Sequence, residues 1–390
     1  MSIWLFVGIS ISLIVLLYLY LKIKYGFWFY QPVFHKYNLS YYFSYPGIIK
    51  KELPEPNRYT NFINISTYTY DTIHWTKMAS FIKSNYSNRS FKPSLENIKP
   101  YFSERSYFSL YYKKTKLVER KTDDIIEDFR LLGCITSRLL HVIINGSSPD
   151  AIFDAYYVDY LCVDEAYRKG GIAAQLIQTH EYNQRHLDKE VSVSLFKREE
   201  DVLGFGVVPL CIYSVFHFDC EPWSKSKPDD LHAKYNIIQI GKGNMNVLME
   251  YMKEVSSKFG IVIQPHLGTL TELMKTNNIY IYVIMVANEV LCAYFFRKTC
   301  IENARGKHVI SLFSSINNTT RDIFTHGFKV CFWRIMRGFG ELSIENIADN
   351  NIIIRNIREK SRPRAITTNA YYFYNFAYST FRPERVFIIV

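Results

Sequence analysis

Six residues, Arg168-Lys169-Gly170-Gly171-Ile172-Ala173, carry the pattern Arg-x-x-Gly-x-Ala between two segments of different periodicity. Before them, Ala155 to Val163 is rich in Tyr and Val, which favours a strand. After them, Ile172, Leu176 and Ile177 fall at i, i+4 and i+5, one face of a helix. Glycine at such a junction permits positive φ and leaves backbone N–H groups uncovered. Those groups gather at the helix N-terminus, where a pyrophosphate can bind, and Arg168 and Lys169 add charge for it. The bland alternative is a strand-to-helix turn that binds nothing.

Other chemistries find no support. No Gly-x-Ser-x-Gly elbow and no Walker loop occurs. His180 and His186 have five residues between them, one of them Glu, unlike the His-Glu-x-x-His of zinc hydrolases, and read as helix-surface residues. Cys134, Cys162, Cys211, Cys220, Cys292, Cys300 and Cys331 form no Cys-x-x-Cys pair. Free thiols in a reducing compartment are expected, and no metal site. A net charge of +11 suits an anionic partner such as a phosphate-bearing ligand or a membrane surface. Nucleic acid is not expected, because no Lys/Arg-rich run or zinc-finger spacing is present. Sequons at Asn64, Asn85 and Asn88 matter only in a lumenal domain.

The elements around the loop follow from periodicity and punctuation. Ile3 to Leu21 is uncharged and almost wholly apolar. At helical rise it spans roughly 28 Å, close to a bilayer core. Met1-Ser2 gives no basic start and Tyr18-Leu19-Tyr20-Leu21-Lys22 no small-residue cleavage site, so a membrane anchor is expected rather than a signal peptide. Lys22 and Lys24, with Lys36, Lys50 and Lys51 beyond, place the large C-terminal part in the cytosol by the positive-inside rule. Residues 25–56 form an arm and linker punctuated by Pro46, Gly47, Pro54 and Pro56. Residues 57–218 form a first domain, with a helix over 71–86 and strands over 107–113, 131–144, 156–163, 191–196 and 209–216. A turn at Asn145-Gly146-Ser147-Ser148-Pro149 joins two of them. Residues 219–234, with Pro222, Pro228, Asp229 and Asp230, form a polar linker. Residues 235–390 form a second domain, with helices over 244–259 and 320–339, a hairpin over 279–297, and strands at 308–313, 371–376 and 385–390.

Arg-x-x-Gly-x-Ala after a strand resembles the acyl-CoA loop of the GNAT acyltransferases. Tyr160-Leu161-Cys162-Val163 followed by Tyr167-Arg168 resembles the Phe-Leu-Cys-Val and Leu-Arg of the glycylpeptide N-myristoyltransferases. Phe27-Trp28-Phe29-Tyr30-Gln31-Pro32-Val33 is similar to that family's Phe-Trp-x-Thr-Gln-Pro-Val. Tyr371-Tyr372-Phe373-Tyr374-Asn375-Phe376, with the apolar Val386 to Val390, is similar to its Tyr-Tyr-Leu-Tyr-Asn-Trp and C-terminus. The resemblance implies an α/β (α+β) fold of two GNAT-like halves in one saddle-shaped mixed sheet flanked by helices, preceded here by one transmembrane helix. It implies transfer of a fatty acyl group from myristoyl-CoA or another acyl-CoA to the N-terminal glycine amine of a peptide or protein, by a monomer.

Carried over by residue, the backbone N–H groups of Tyr160 and Leu161 would hold the thioester oxygen, provided a bulge splays the strand there. The terminal carboxylate of Val390 would be the base. Tyr25, Phe27, Trp28, Leu161, Cys162, Val163, Arg168, Lys169, Gly170, Gly171, Ile172 and Ala173 would contact acyl-CoA. Three departures stand out. Two glycines replace basic residues the family usually has in the loop. Ser194-Leu195-Phe196-Lys197-Arg198-Glu199-Glu200 lacks the family's Tyr-Thr-Ala-Gly, whose Thr helps hold the glycine. With Val386 in register, the chain ends a residue short of some members. Asp159 and Glu165 are spare carboxylates for the base. The alternatives are a GNAT-type N-acetyltransferase using a short acyl-CoA, and an inactive acyl-CoA or lipopeptide-binding membrane protein.

Overall fold

The structure, a computed structural model, describes residues 3–43, 47–118, 125–146, 151–199, 206–225 and 227–390. The expectations at Met1-Ser2, Pro46, Ser147-Ser148-Pro149 and Glu200 lie outside these residues. In chain order the elements are α1 (Ile3–Tyr25), α2 (Ser40–Phe43), β1 (Gly47–Ile48), β2 (Ile65–Thr69), α3 (Trp75–Asn85), α4 (Leu95–Ile98), β3 (Ser106–Val118), β4 (Ile125–Ile144), β5 (Ala151–Val163), α5 (Ile172–Leu187), β6 (Val193–Arg198), β7 (Cys211–Asp219) and β8 (Asn236–Gln239). They continue with α6 (Met245–Val255), β9 (Ile261–Pro265), α7 (Leu267–Lys275), β10 (Ile279–Val286), β11 (Glu289–Glu302), β12 (His308–Asn317), α8 (Arg321–Ile335), β13 (Phe339–Glu345), α9 (Asn350–Arg358), β14 (Ala365–Tyr374), β15 (Phe376–Ala377) and β16 (Val386–Ile388).

One mixed sheet runs through both halves of the chain, in the order β16-β9-β4-β5-β6-β14-β7-β13-β12-β11-β10-β8, with β3 on β4 and β2 on β3. The pairs β5·β6, β12·β13 and β9·β16 are parallel, and the others in this path are antiparallel. This is the expected α/β class. Strand alternation explains why helices cover both faces. Ile281, Val283, Ala293 and Phe295 point to one face and pack with α6 and α7. Tyr282, Ile284, Tyr294 and Phe296 point to the other and pack with α8 and α9. Each Leu, Ile or Phe buried in this way stabilises the fold by roughly 1.5–3 kcal/mol. In the first half, α3 shares the face of α6 and α7, packing against Phe108 and Cys162. Helix α5 lies opposite, over Leu132 and Ile135.

Two departures from expectation have a cause the structure shows. The helix expected over 320–339 stops at Ile335, since Gly338 takes φ 95° and turns the chain so that Phe339 opens β13. The arm over 25–56, expected to be extended, is not wholly so, because it contains α2 and the short strand β1, which pairs with β15. Helix α1 carries exposed apolar side chains along its length, Trp4 at 83% and Leu13 at 61%. It is long and apolar enough to cross a membrane.

Candidate functional site

A slot through the sheet organises the site. Strands β5 and β6 pair from Ala155↔Val193 to Val158↔Phe196 and no further. Beyond that point β6 stays with β14 through Tyr371↔Lys197 and Ala370↔Arg198, while β5 stays with β4. The β4·β5 register jumps from Cys134↔Cys162 to Thr136↔Asp159, so Ile135 faces both Tyr160 and Leu161. A bulge thus falls at the expected residues, although Tyr160 N–H is not free there but donates to Asp159. Tyr160 takes φ 48°, rare for a bulky residue. Three local bonds fix it: Tyr160 N–H donates to Asp159 Oδ1 at 2.8 Å, Thr136 Oγ1 to Asp159 O at 3.0 Å, and Cys134 Sγ to Tyr160 O at 3.4 Å.

On the α5 side, the slot opens into a cleft of about 440 Å³ walled by Trp28, Ile135, Val158, Leu161, Ile177 and Phe196. On the opposite face lies a second cavity of about 190 Å³. Tyr86, Tyr157, Asp159, Tyr160, Lys197 and Glu199 line both, so the two meet at the bulge.

The second cavity is built by strand alternation. Tyr157 and Asp159, Lys197 and Glu199, Val215 and His217, Ser343 and Glu345, and Thr367 and Asn369 are i, i+2 pairs from five neighbouring strands, Glu199 standing one residue past the end of β6. At its back wall Glu345 accepts from Tyr213 Oη at 2.7 Å, Arg297 Nη2 at 2.9 Å and Lys197 Nζ at 3.3 Å. Burial alone would push the Glu345 carboxyl up, but Lys197 and Arg297 beside it hold it below the usual range. Burial raises Asp159, with Arg138 opposing. Val390 is buried at 2% exposure and lines neither cavity, and its main-chain oxygen accepts from Arg297 Nη1 at 2.5 Å.

Two polar residues of α5 reach the cleft. His180 is not on the surface. It is 2% exposed, meets Ser109 Oγ through Nδ1 at 2.8 Å, and is held neutral by burial, which lowers it to about 3. Helix α5 lies across β3, so its inward face meets Ser109. Glu181 is buried as well, and burial raises its carboxyl to about 7 against the pull of Arg185. His186 is half-buried, with its ring stacked on Tyr182 at 4.0 Å.

The glycine loop begins α5 as expected. Gly171 is the N-cap residue with φ 81°, and Lys169 also takes positive φ, at 67°. Arg168 is exposed, and its guanidinium lies back along the protein, donating through Nε to Val163 O at 3.2 Å and through Nη2 to Asn85 O at 2.8 Å. A depression of about 560 Å³ borders the loop, lined by Arg168, Gly170, Ile172, Lys113 and Lys114. Ala173 follows within the first turn of α5. Cys162 is buried opposite Cys134.

The arm's motif and the C-terminal motif touch. Tyr374 Oη donates to Gln31 Oε1 at 2.6 Å, and Asn375 N–H to Pro32 O at 2.6 Å. Trp28 stacks on Phe196, with centroids 5.7 Å apart, and lines the cleft. Phe27 packs against Trp28 and Tyr59, and Tyr25 against Tyr37, and neither lines the cleft. Arg138, Arg297, Glu345, Lys113 and Lys114 carried no local signal, since pairing of distant strands gathers them.

No protein-family model matches the chain, and no curated protein matches it. Solved structures do. A structure of Saccharomyces cerevisiae N-myristoyltransferase with bound myristoyl-CoA superposes with a TM-score of 0.70 at 12% identity, covering 94% of this chain and 94% of that one. A second, also with bound myristoyl-CoA, gives 0.64 at 12% identity over 94% of this chain and 99% of the other. A third, with myristoyl-CoA and inhibitors, gives 0.65 at 13% identity over 93% of each. The architecture is thus that of an acyltransferase fold built on one large mixed sheet. More particularly, the chain has the N-myristoyltransferase fold along nearly its whole length.

Proposed function

We infer that this chain is an N-acyltransferase that moves a fatty acyl group from acyl-CoA to the amine of an N-terminal glycine. The observation that carries the reading is the slot where β5 and β6 part, bulged at Tyr160 and Leu161 and joining a cleft to a cavity across the sheet. Acyl-CoA suits the cleft side. Its pyrophosphate fits the Gly170-Gly171 loop and the α5 N-terminus, with Lys113, Lys114 and Lys169 supplying charge, while Arg168 braces the loop. Its thioester fits the slot, beside the bulge that carries the N–H groups of Tyr160 and Leu161.

The acceptor amine enters from the second cavity. Asp159 lines both sides, so it is our choice for the base, ahead of Val390, whose oxygen Arg297 occupies. Asp159 takes a proton from the ammonium, and the freed amine attacks the thioester carbon. A C–N bond forms, the C–S bond breaks, and the departing sulfur of CoA takes the second proton of the attacking nitrogen and leaves as the thiol. Protonation weakens Asp159 as the acceptor for Tyr160 N–H, which releases that donor to the developing oxyanion. Helix α1 tethers the enzyme, and Lys22 and Lys24 at its end favour a cytosolic catalytic part.

Mass spectrometry of the purified full chain should find a bound acyl-CoA, and labelled acyl groups should pass to peptides beginning with glycine. Tight binding with no transfer at any acyl length would leave a binding protein instead. Transfer of acetyl groups to lysine side chains would make it a general GNAT enzyme.

A further inference from the structure

We propose that Arg138 selects acceptors carrying a carboxylate within a few bonds of the reacting amine. This rests on the acyltransferase reading and concerns only its acceptor. Arg138 comes from β4, directly across from Tyr157 of β5. Its guanidinium lies 4.7 Å from the Tyr101 ring centroid and 4.8 Å from that of Tyr157. The residue is 3% exposed and lines the second cavity. Ring faces hold the cation but accept no conventional hydrogen bond from it.

Its donors are open. Nη2 stands 3.9 Å from Asp159 Oδ2, beyond hydrogen-bond reach, and Asp159 Oδ1 is already held by Tyr160 N–H. Nε and Nη1 have no hydrogen-bond partner among the described residues. Of the other cations lining the cavity, Arg297 is engaged by Glu345 and Val390 O and Lys197 by Glu345 and Glu199, while Lys298, half-buried, adds charge without a planar fork. A buried guanidinium with two idle donors is destabilising unless a ligand fills them. Its planar fork matches a carboxylate, which can accept both bonds. Asp159 and Tyr160 share the same wall, so a carboxylate on Arg138 lies near the amine. Asn97, Thr299, Thr367 and Asn369 add neutral polar groups to the lining, and Glu199 and Lys298 add one charge of each sign. Two sources supply this chemistry: an acidic side chain early in a peptide, or the α-carboxylate of free glycine.

Calorimetry on the full chain, with and without a non-transferable thioether analogue of acyl-CoA, tests this. The probes are the amidated peptides Gly-Asp-Ala-Ala and Gly-Asn-Ala-Ala, and free glycine against glycinamide. The expected result is binding at least about tenfold tighter for the carboxylate member of one pair, the order of one charged hydrogen bond. The first pair reports a side-chain source, the second the free amino acid. Arg138→Gln should erase the preference and leave binding of the analogue intact, which also shows that the variant is folded. Arg138→Lys, keeping the charge without the fork, should retain part of it. Equal binding within both pairs, or a preference that survives Arg138→Gln, overturns the proposal. Failure of the analogue to bind sinks the acyltransferase reading instead, and the titrations without it still decide the role of Arg138.

Discussion

Glu181 shows how much a single buried group beside the cleft can set. Burial raises its carboxyl from 4.5 to about 7, and Arg185 at 3.9 Å opposes the shift only in part. Between those pH values the folded chain keeps a proton that the unfolded chain has lost, so this group's contribution is full below pH 4.5 and is lost as pH rises to 7. At about 1.4 kcal/mol per pH unit the loss is roughly 3 kcal/mol. Glu181→Gln removes the titration. Its stability relative to the natural chain should rise by that order between pH 4.5 and 8 in urea unfolding. His180 titrates in the opposite sense but is present in both proteins and cancels. A difference that stays constant across that range would show that Glu181 is not held protonated. Neither residue's burial was legible in the sequence. The His180–His186 stretch has ordinary helix-surface composition, and only the packing of α5 against Ser109 and Tyr374 makes those side chains interior.

At the scale of elements, legibility follows contiguity. The strand–loop–helix from Ala155 to Leu187 was readable because its signals are neighbours: a Tyr/Val strand, two glycines, then helical periodicity. The cavity across the sheet was not, because several strands each give it two residues. No window along the chain contains Arg138, Lys197, Arg297 and Glu345 together. The junction of β4 with α5 is also built by close approach. A Cβ on Gly133 would lie 2.8 Å from Leu176 Cδ1 and 3.2 Å from Cys162 O. Gly133→Val must therefore push α5 off the sheet, and overpacking of this kind typically costs 1–3 kcal/mol. The expected outcome is a lower Tm together with weaker acyl-CoA binding, because α5 both walls the cleft and presents Gly171. Weaker binding with unchanged Tm would mean that the helix does not move as a unit.

At the scale of the whole molecule, stretches over 300 residues apart prove to be one structural unit. Gln31 and Pro32 bond Tyr374 and Asn375, and Asn375 also accepts from Lys50 N–H and donates to Lys50 O and Ser192 O. That contact gives the two stretches a shared structural role. The same closure complicates a division into domains. We place the boundary at 219–234, yet β14 lies between β6 and β7, so the last strands complete the first half.

It also decides how the base can be identified. Val390 ends in a buried apolar cluster with Ile388 and Val386, with its oxygen on Arg297, whereas Asp159 stands where the two cavities meet. Asp159→Asn keeps an oxygen for Tyr160 N–H but removes the proton acceptor. It should lower acyl transfer by the ~10²–10⁴ of a lost general base and leave acyl-CoA binding nearly unchanged. Appending two alanines after Val390 moves the terminal carboxylate by roughly 7 Å at strand rise. If Asp159 is the base, the extended chain loses stability through its disturbed final strand, but its transfer rate per folded molecule holds. Labelled-acyl assays normalised to folded protein separate the cases. An Asp159→Asn enzyme of normal rate beside an inactive extended one would assign the base to Val390, with Arg297 as the residue that positions it.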